Sequence, residues 1–350
     1  MMNTIPVMNT RIRGRSPLIS PAQLRIDIPQ TDEQMSFIHK SRATIEDILS
    51  GKDDRMIVVV GPCSIHDKET ALEYARRLKS LSDDVKDRYF LVMRTYFEKP
   101  RTTIGWKGLI NDPHINGTND INVGLHLARS ILRECTDLGI PCATEYVDSL
   151  IIPDYTAEFI SWTAIGARTV ESPQHRQLAS GLSMPVGFKN DRSGNVDVAI
   201  DAVLTARDPH TFLGVTDFGG VAIVATSGNN YTHIVLRGGR EPNYEHTHIT
   251  DALGKLHRAN LPEILMIDCS HGNSKKDYRN QPEVFLDLVR QHRDGNKGII
   301  GAMLESNINE GNHKIPDDLT SYKKSEVPYG VSITDSCLGW NDTQNLIKNC

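Results

Sequence analysis

Eight short apolar runs alternate with amphipathic stretches along most of this chain, and that alternation constrains the fold more than any other feature. The runs are MIVVV (56–60), YFLVMR (89–94), IPCAT (140–144), TAIGART (163–169), MPVGFK (184–189), HIVLR (233–237), ILMID (264–268) and IIGAML (299–304). MIVVV lacks the polar alternation of a half-exposed strand, which suits a strand covered on both faces of a parallel sheet. Between the runs, KETALEYARRLKSL, NVGLHLARSILRECTDLG, DYTAEFISWTA, NVDVAIDAVLTARD and QPEVFLDLVRQHRDG place apolar residues at helical spacing. Eight strands alternating with helices predict a (β/α)8 TIM barrel over residues 51–350. A further run, VAIVAT (221–226), followed by SGNNY, predicts a β-hairpin inserted before the sixth barrel strand. Residues 1–50 form a separate N-terminal helical extension, with Pro17 and Pro21 early and a helix expected from about Thr31 through EQMSFIHKSRATIEDIL.

Composition narrows the class of function. A formal net charge of -5 over 350 residues lacks the basic excess of a nucleic-acid binder. No window approaches the ~20 apolar residues of a membrane span, and MMNTIPVMNTRIRGRSP lacks the apolar core of a secretory signal. A cytoplasmic enzyme without nucleic-acid or membrane partners is therefore expected. Six cysteines spread over this length do not form a disulfide framework, so reduced thiols are expected, and a cysteine with a role is a ligand or nucleophile.

In a barrel the chemistry gathers at the C-terminal ends of the strands. Reading the first residues after each apolar run gives Cys63, Arg94 with Lys99 and Arg101, Glu145, Arg168, Lys189, Arg237, His271 and Glu305, and Asp335 follows in SITDSCLGW. Cys63, His271, Glu305 and Asp335 combine sulfur, imidazole and carboxylates, which suits a borderline divalent cation such as Mn2+, Fe2+, Co2+ or Zn2+. Arg94, Lys99, Arg101, Arg168, Lys189 and Arg237 are too many cations for one carboxylate and point to phosphorylated substrates, with Thr102 able to add a hydroxyl donor. A metal beside phosphate sites suits carbonyl polarisation and carbon–carbon bond formation, but equally phosphate-ester hydrolysis. Strand ends alone leave that choice open.

The strings GPCSIHD, MRTYFEKPRTTIGWKGLINDP, AIGARTVES, MPVGFKN, HIVLRGG, DCSHGNS, ESNINEGN and SITDSCLGW, collinear across residues 30–345, resemble the type I 3-deoxy-D-arabino-heptulosonate-7-phosphate (DAHP) synthases. The resemblance implies a transferase that condenses phosphoenolpyruvate with D-erythrose 4-phosphate and releases phosphate, opening the shikimate route to aromatic amino acids. It implies metal ligands at Cys63, His271, Glu305 and Asp335, phosphoenolpyruvate contacts at Arg94, Lys99, Arg168, Lys189 and Arg237, Glu145 near the attacking water, and Arg101 with Thr102 on the erythrose 4-phosphate phosphate. Lys99 and His271 join Glu145 as catalytic candidates, with Lys99 the candidate acid for the developing alkoxide, whereas His66 reads as structural. The alternative is a sister phosphoenolpyruvate-dependent synthase acting on another phosphosugar, against which the KPRT loop argues. A Schiff-base aldolase through Lys189 is a second alternative.

The resemblance further implies a homodimer or homotetramer and an aromatic amino-acid effector held near Pro153, Leu178, Ser183 and Phe212 with help from the first ~30 residues. Two departures bear on this: the first 26 residues contain no Asp or Glu, and KNDRSGN follows the fifth strand in place of the commoner Gly and Thr after the asparagine. Cys337, two residues beyond Asp335, is expected close to Cys63 if that segment is extended.

Overall fold

The computed structural model describes residues 7–350. Among the described residues ten strands form two sheets. β1 (Met56–Gly61), β2 (Tyr89–Arg94), β3 (Cys142–Glu145), β4 (Ile160–Ile165), β5 (Val186–Lys189), β8 (Thr232–Leu236), β9 (Leu265–Asp268) and β10 (Ile299–Glu305) pair in parallel, and β10 returns to β1 to close the barrel. β6 (Thr211–Val215) and β7 (Val221–Ala225) form a separate antiparallel hairpin. The (β/α)8 expectation and the inserted hairpin both hold.

The apolar runs lack alternation because both faces are buried, as they are throughout β1. Ile57 and Val59 belong to the interior cluster with Val92, Ala143, Trp162, Val235, Met266 and Met303. Val58 and Val60 pack outward with the helices, including Leu78 and Leu81 of the helix Lys68–Val85. The expected N-terminal helix spans Asp32–Leu49 and starts at a capping box, in which Thr31 and Gln34 each satisfy the other's backbone N–H. Its last turn sends Ile45, Ile48 and Leu49 into the same interior cluster, so the extension supplies no barrel strand but packs into the barrel's interior.

Three sequence expectations need correction. DYTAEFISWTA is helical only in part: the helix is Ile152–Thr156, a single 3-10 turn covers Ala157–Phe159, and β4 begins at Ile160, earlier than the TAIGART run. Apolar spacing runs unbroken from helix into strand there, and the barrel's need to bury Trp162 overrides the local period. β4 stops at Ile165, where Thr169 and Val170 turn back onto the Gly166 carbonyl. The inserted hairpin makes its turn before VAIVAT, with Leu213 and Ile223 as cross-strand partners. β3 and β5 start after Pro141 and Pro185, which lack the N–H a ladder uses.

Candidate active site at the barrel mouth

β1 ends at Gly61, and Pro62 after it delivers Cys63, fully buried, to the mouth of the barrel. Its Sγ lies 3.5 Å from Asp335 Oδ2 and 3.1 Å from Lys99 Nζ. Glu305, the last residue of β10, is fixed through its backbone by Gln281, whose amide both accepts from its N–H at 2.8 Å and donates to its carbonyl at 3.0 Å. Its carboxylate accepts from Arg94 Nη2 at 2.8 Å and from Ser270 Oγ at 2.9 Å. One donor atom each from Cys63, Glu305 and Asp335 falls within 4.8 Å of the others. The fourth expected ligand, His271, adopts a left-handed backbone (φ 57°) and brings Nε2 to 3.8 Å from Glu305 Oε1.

The donor chemistry fits a divalent cation. Burial, then the Glu305 carboxylate, pushes the Cys63 thiol up to about 12, with Lys99 opposing; two carboxylates beside a sulfur favour a cation, and a coordinating thiol is deprotonated outright. Burial works to raise Asp335, yet Lys99 and His271 hold it at about 2. Burial likewise works against the Lys99 charge, but Cys63, Asp335 and Glu305 raise its pKa.

A second group lies across the mouth. Lys189 Nζ is 2.9 Å from Asp268 Oδ2 and 4.0 Å from Glu145 Oε2. Glu145 has room because Gly166 faces it: a Cβ there would come within 2.3 Å of its Oε1. Asp268 also lies 2.9 Å from His271 Nδ1, and against the effect of burial His271 and Lys189 keep it well below the usual carboxylate range. Sequence reasoning missed Asp268 and Ser270; Asp268 hides as the final letter of the run ILMID, where it reads as part of the strand. Lys189 Nζ is spent on the Asp268 carboxylate as a hydrogen-bond donor, an arrangement unlike the desolvated apolar pocket of a Schiff-base lysine.

Arg94 is almost fully buried, donates Nε to the Pro62 carbonyl at 3.1 Å and stacks 3.7 Å from the Tyr96 ring centroid. Its Nη1 has no partner among the described residues, a donor left for an anion. Burial lowers the Arg237 pKa, and Arg168 and Arg192 oppose its charge further while Asp268 supports it. Arg192, in the divergent KNDRSGN loop, was not singled out from sequence. Arg101 and Thr102 are exposed and stay outside the metal-donor cluster; Arg101 Nε is anchored on the Trp106 carbonyl at 2.7 Å. His66 is buried, and burial lowers its pKa to about 4.

Pro153, Leu178, Ser183 and Phe212 line one cavity of about 850 Å3, away from the mouth, together with Arg25, Asp154 and Glu158. Cys337 is buried, and its Sγ lies 3.6 Å from the Asp335 carbonyl oxygen. All six cysteines are free.

The pattern of the DAHP synthetase I family matches residues 27–348. The Tyr-sensitive phospho-2-dehydro-3-deoxyheptonate aldolase of Salmonella typhimurium is 50% identical over 340 residues, covering 97% of this chain and 94% of the relative. The Phe-sensitive enzyme of that name from Escherichia coli is 49% identical over 338 residues, covering 97% and 95%. A solved phospho-2-dehydro-3-deoxyheptonate aldolase from Francisella tularensis superposes with a TM-score of 0.92 at 47% identity, covering 96% of each chain.

Proposed function

This chain belongs to the DAHP synthetase I family, and from that premise we propose that its barrel mouth condenses phosphoenolpyruvate with erythrose 4-phosphate to give DAHP and phosphate. The observation that carries the reading is the convergence of Cys63, Glu305 and Asp335 within 4.8 Å, with Lys99 Nζ 3.1 Å from the Cys63 sulfur. Cys63, His271, Glu305 and Asp335 would hold a divalent ion of the Mn2+, Fe2+, Co2+ or Zn2+ class, which when bound supplies Lewis-acid polarisation of the sugar aldehyde.

The rest is the work of side chains. Arg94 offers its unpartnered Nη1 to phosphoenolpyruvate, with Lys99, Lys189, Arg168 and Arg237 completing its anion site, and Arg101 with Thr102 takes the phosphate of erythrose 4-phosphate. C3 of phosphoenolpyruvate attacks the aldehyde carbon, Lys99 Nζ gives its proton to the developing alkoxide, and water oriented by Glu145 adds at C2 before phosphate leaves. A coupled assay following both substrates, phosphate and DAHP, with and without chelator, tests this. Turnover should stop on chelation and return with metal; full activity in metal-free Cys63→Ala would overturn the ligand assignment.

The cavity lined by Pro153, Leu178, Ser183 and Phe212 we assign to an aromatic amino-acid effector, in keeping with relatives named Tyr-sensitive and Phe-sensitive. Arg25 on its wall brings the N-terminal extension into that role, and residues 1–50 are read as a regulatory or oligomerisation arm. Leu213, Phe218, Val221 and Ile223 expose 74–94% of their surface on the hairpin, which supports a homo-oligomer, dimeric or tetrameric. Among the described residues no helix is long and apolar enough to cross a membrane, and a cytoplasmic location fits the biosynthetic role.

A further inference from the structure

Three buried asparagines take no part in the chemistry above, and their amides form one connected set. Asn190 follows Lys189 at the end of β5 and is wholly buried, while Asn243 and Asn273 lie buried in the turns after β8 and β9. An asparagine amide has two donor hydrogens and an oxygen with two lone pairs, and Asn190 uses all four. Its Oδ1 accepts the Arg237 N–H at 2.8 Å and Asn243 Nδ2 at 3.3 Å. Its Nδ2 donates to the Asp191 carbonyl at 2.8 Å and to the Gly238 carbonyl at 3.0 Å. A reversed amide would set nitrogen against an N–H and oxygen against two carbonyls, so one orientation alone satisfies the site.

The consequence falls on Arg237. It stands one residue beyond Leu236, the last residue of β8, and no strand ladder places its N–H. The Asn190 amide takes the place of that missing ladder bond. On the other side the Arg237 carbonyl accepts the N–H of Gly272, the residue after His271, at 3.0 Å. Arg237 Nη1 donates at 3.2 Å to the Gly238 carbonyl, the oxygen that Asn190 also holds. Asn190 therefore fixes both the backbone of Arg237 and the group on which its guanidinium rests. Its own N–H donates to the Val235 carbonyl at 3.1 Å and steadies the strand end that carries Lys189. The other two amides brace the same turn. Asn243 Oδ1 accepts the Gly238 N–H at 2.7 Å, its N–H donates to Asn273 Oδ1 at 2.8 Å, and Asn273 Nδ2 donates to the Asp268 carbonyl at 2.9 Å. The turn has no slack: Gly238 has φ 71°, and a Cβ there would come within 2.5 Å of the Asn273 nitrogen.

We propose that Asn190 is a positioning residue that sets the distance and direction between Lys189 and Arg237, and with them the grip on phosphoenolpyruvate. The inference rests on the reading of these two side chains as phosphoenolpyruvate contacts. Two cations from different strands hold one small anionic ligand well only at a fixed separation, because each contact is short and directional. A buried amide network in which every member is satisfied supplies that fixity.

The test is Asn190→Ala, which removes all four bonds, with Asn190→Ser as a second variant that stays neutral but whose hydroxyl stops one bond short of Oδ1 and Nδ2. Binding of phosphoenolpyruvate alone to metal-loaded protein is measured by calorimetry, both KM values and kcat by turnover, and folding by the melting temperature. In both variants phosphoenolpyruvate should bind about tenfold more weakly, and its KM should rise with it. The KM for erythrose 4-phosphate and kcat should stay within about twofold. Both KM values rising together with a lowered melting temperature would make the role merely structural and overturn the inference. Unchanged phosphoenolpyruvate affinity in folded Asn190→Ser, with normal binding by the wild type, would overturn it while leaving the substrate reading intact. Wild-type protein that binds no phosphoenolpyruvate would overturn the substrate reading and this inference together.

Discussion

Replacing Asp268 by asparagine tests the site where its charges are most tightly interlocked. The carboxylate lies 2.9 Å from both Lys189 Nζ and His271 Nδ1 and is almost wholly buried. At an effective dielectric of about 20, a 2.9 Å ion pair is worth roughly 6 kcal/mol of Coulomb energy, and the 4.0 Å contact of Lys189 with Glu145 about 4. The amide keeps the shape but removes the nearer anion, so Lys189 falls back on Glu145. The expected cost lies at the low end of the roughly 3–5 kcal/mol for breaking a buried pair, about 3 kcal/mol. The same change releases His271 from the group that orients its ring, and loss of such a partner weakens metal binding by about 10–100-fold. Denaturant titration of metal-free protein reads the first effect, and competition with a fluorescent chelator reads the second. Lys189→Met placed on Asp268→Asn should recover much of the stability without recovering metal affinity, which separates the two roles. Wild-type stability together with wild-type metal affinity in Asp268→Asn would refute the reasoning.

Arg101→Ala should mainly raise the KM for erythrose 4-phosphate, and Arg168→Ala or Arg237→Ala that for phosphoenolpyruvate, by about tenfold or more per lost charge-assisted contact; steady-state kinetics showing the reverse would mean the two pockets are exchanged. His233, inside the barrel, is pushed down to about 3 by burial and by Arg207. Its folded pKa lies below the unfolded value of about 6.5, so the unfolded chain binds the proton first and stability falls as pH drops from about 6.5 towards 3, by about 1.4 kcal/mol per unit. His233→Gln keeps an acceptor for Trp162 Nε1, which now donates at 3.3 Å, and should flatten that slope by the same amount in urea titrations at pH 6.5 and 4.5. Metal-free protein in air should lose activity through a Cys63–Cys337 disulfide, the two thiols passing two electrons and two protons to dioxygen to give hydrogen peroxide, and thiol reductant with metal should restore it; inactivation with both thiols still free by peptide mapping, or unchanged in Cys337→Ser, would remove the support for this.

The fold was legible because a closed parallel barrel buries both faces of each strand, leaving runs such as MIVVV whose only reading is a covered strand. What escaped had a local cause in each case. The helix Pro173–Gly181 buries only His175, Leu178, Ala179 and Ser180, too few apolar residues to declare a period. The run from Ile152 to Ile165 changes from helix to strand with no glycine or proline after Pro153 to mark the switch, and only the interior volume that Trp162 fills decides where it falls. β6 carries Gly214 next to its last residue, a break in the apolar run that keeps the segment from announcing itself as the partner of VAIVAT.

The site divides along a physical line. Cys63, Glu145, Lys189 and Glu305 were readable because barrel topology obliges the chain to present its reacting groups where an apolar run stops. Asp268 and Asn190 were not, because each acts on something the sequence does not mark as reactive. Asp268 completes its strand and then faces Lys189 from β5 and His271 from the following turn, a meeting set by barrel curvature rather than spacing. Asn190 spends three of its four bonds on backbone, the N–H of Arg237 and the carbonyls of Asp191 and Gly238, and a backbone partner leaves no letter in the sequence. Groups presented at strand ends therefore follow from the strand-end rule, whereas the partner of Lys189 and His271 emerges only when the distances are known, and it is on this that the Asp268 substitution acts.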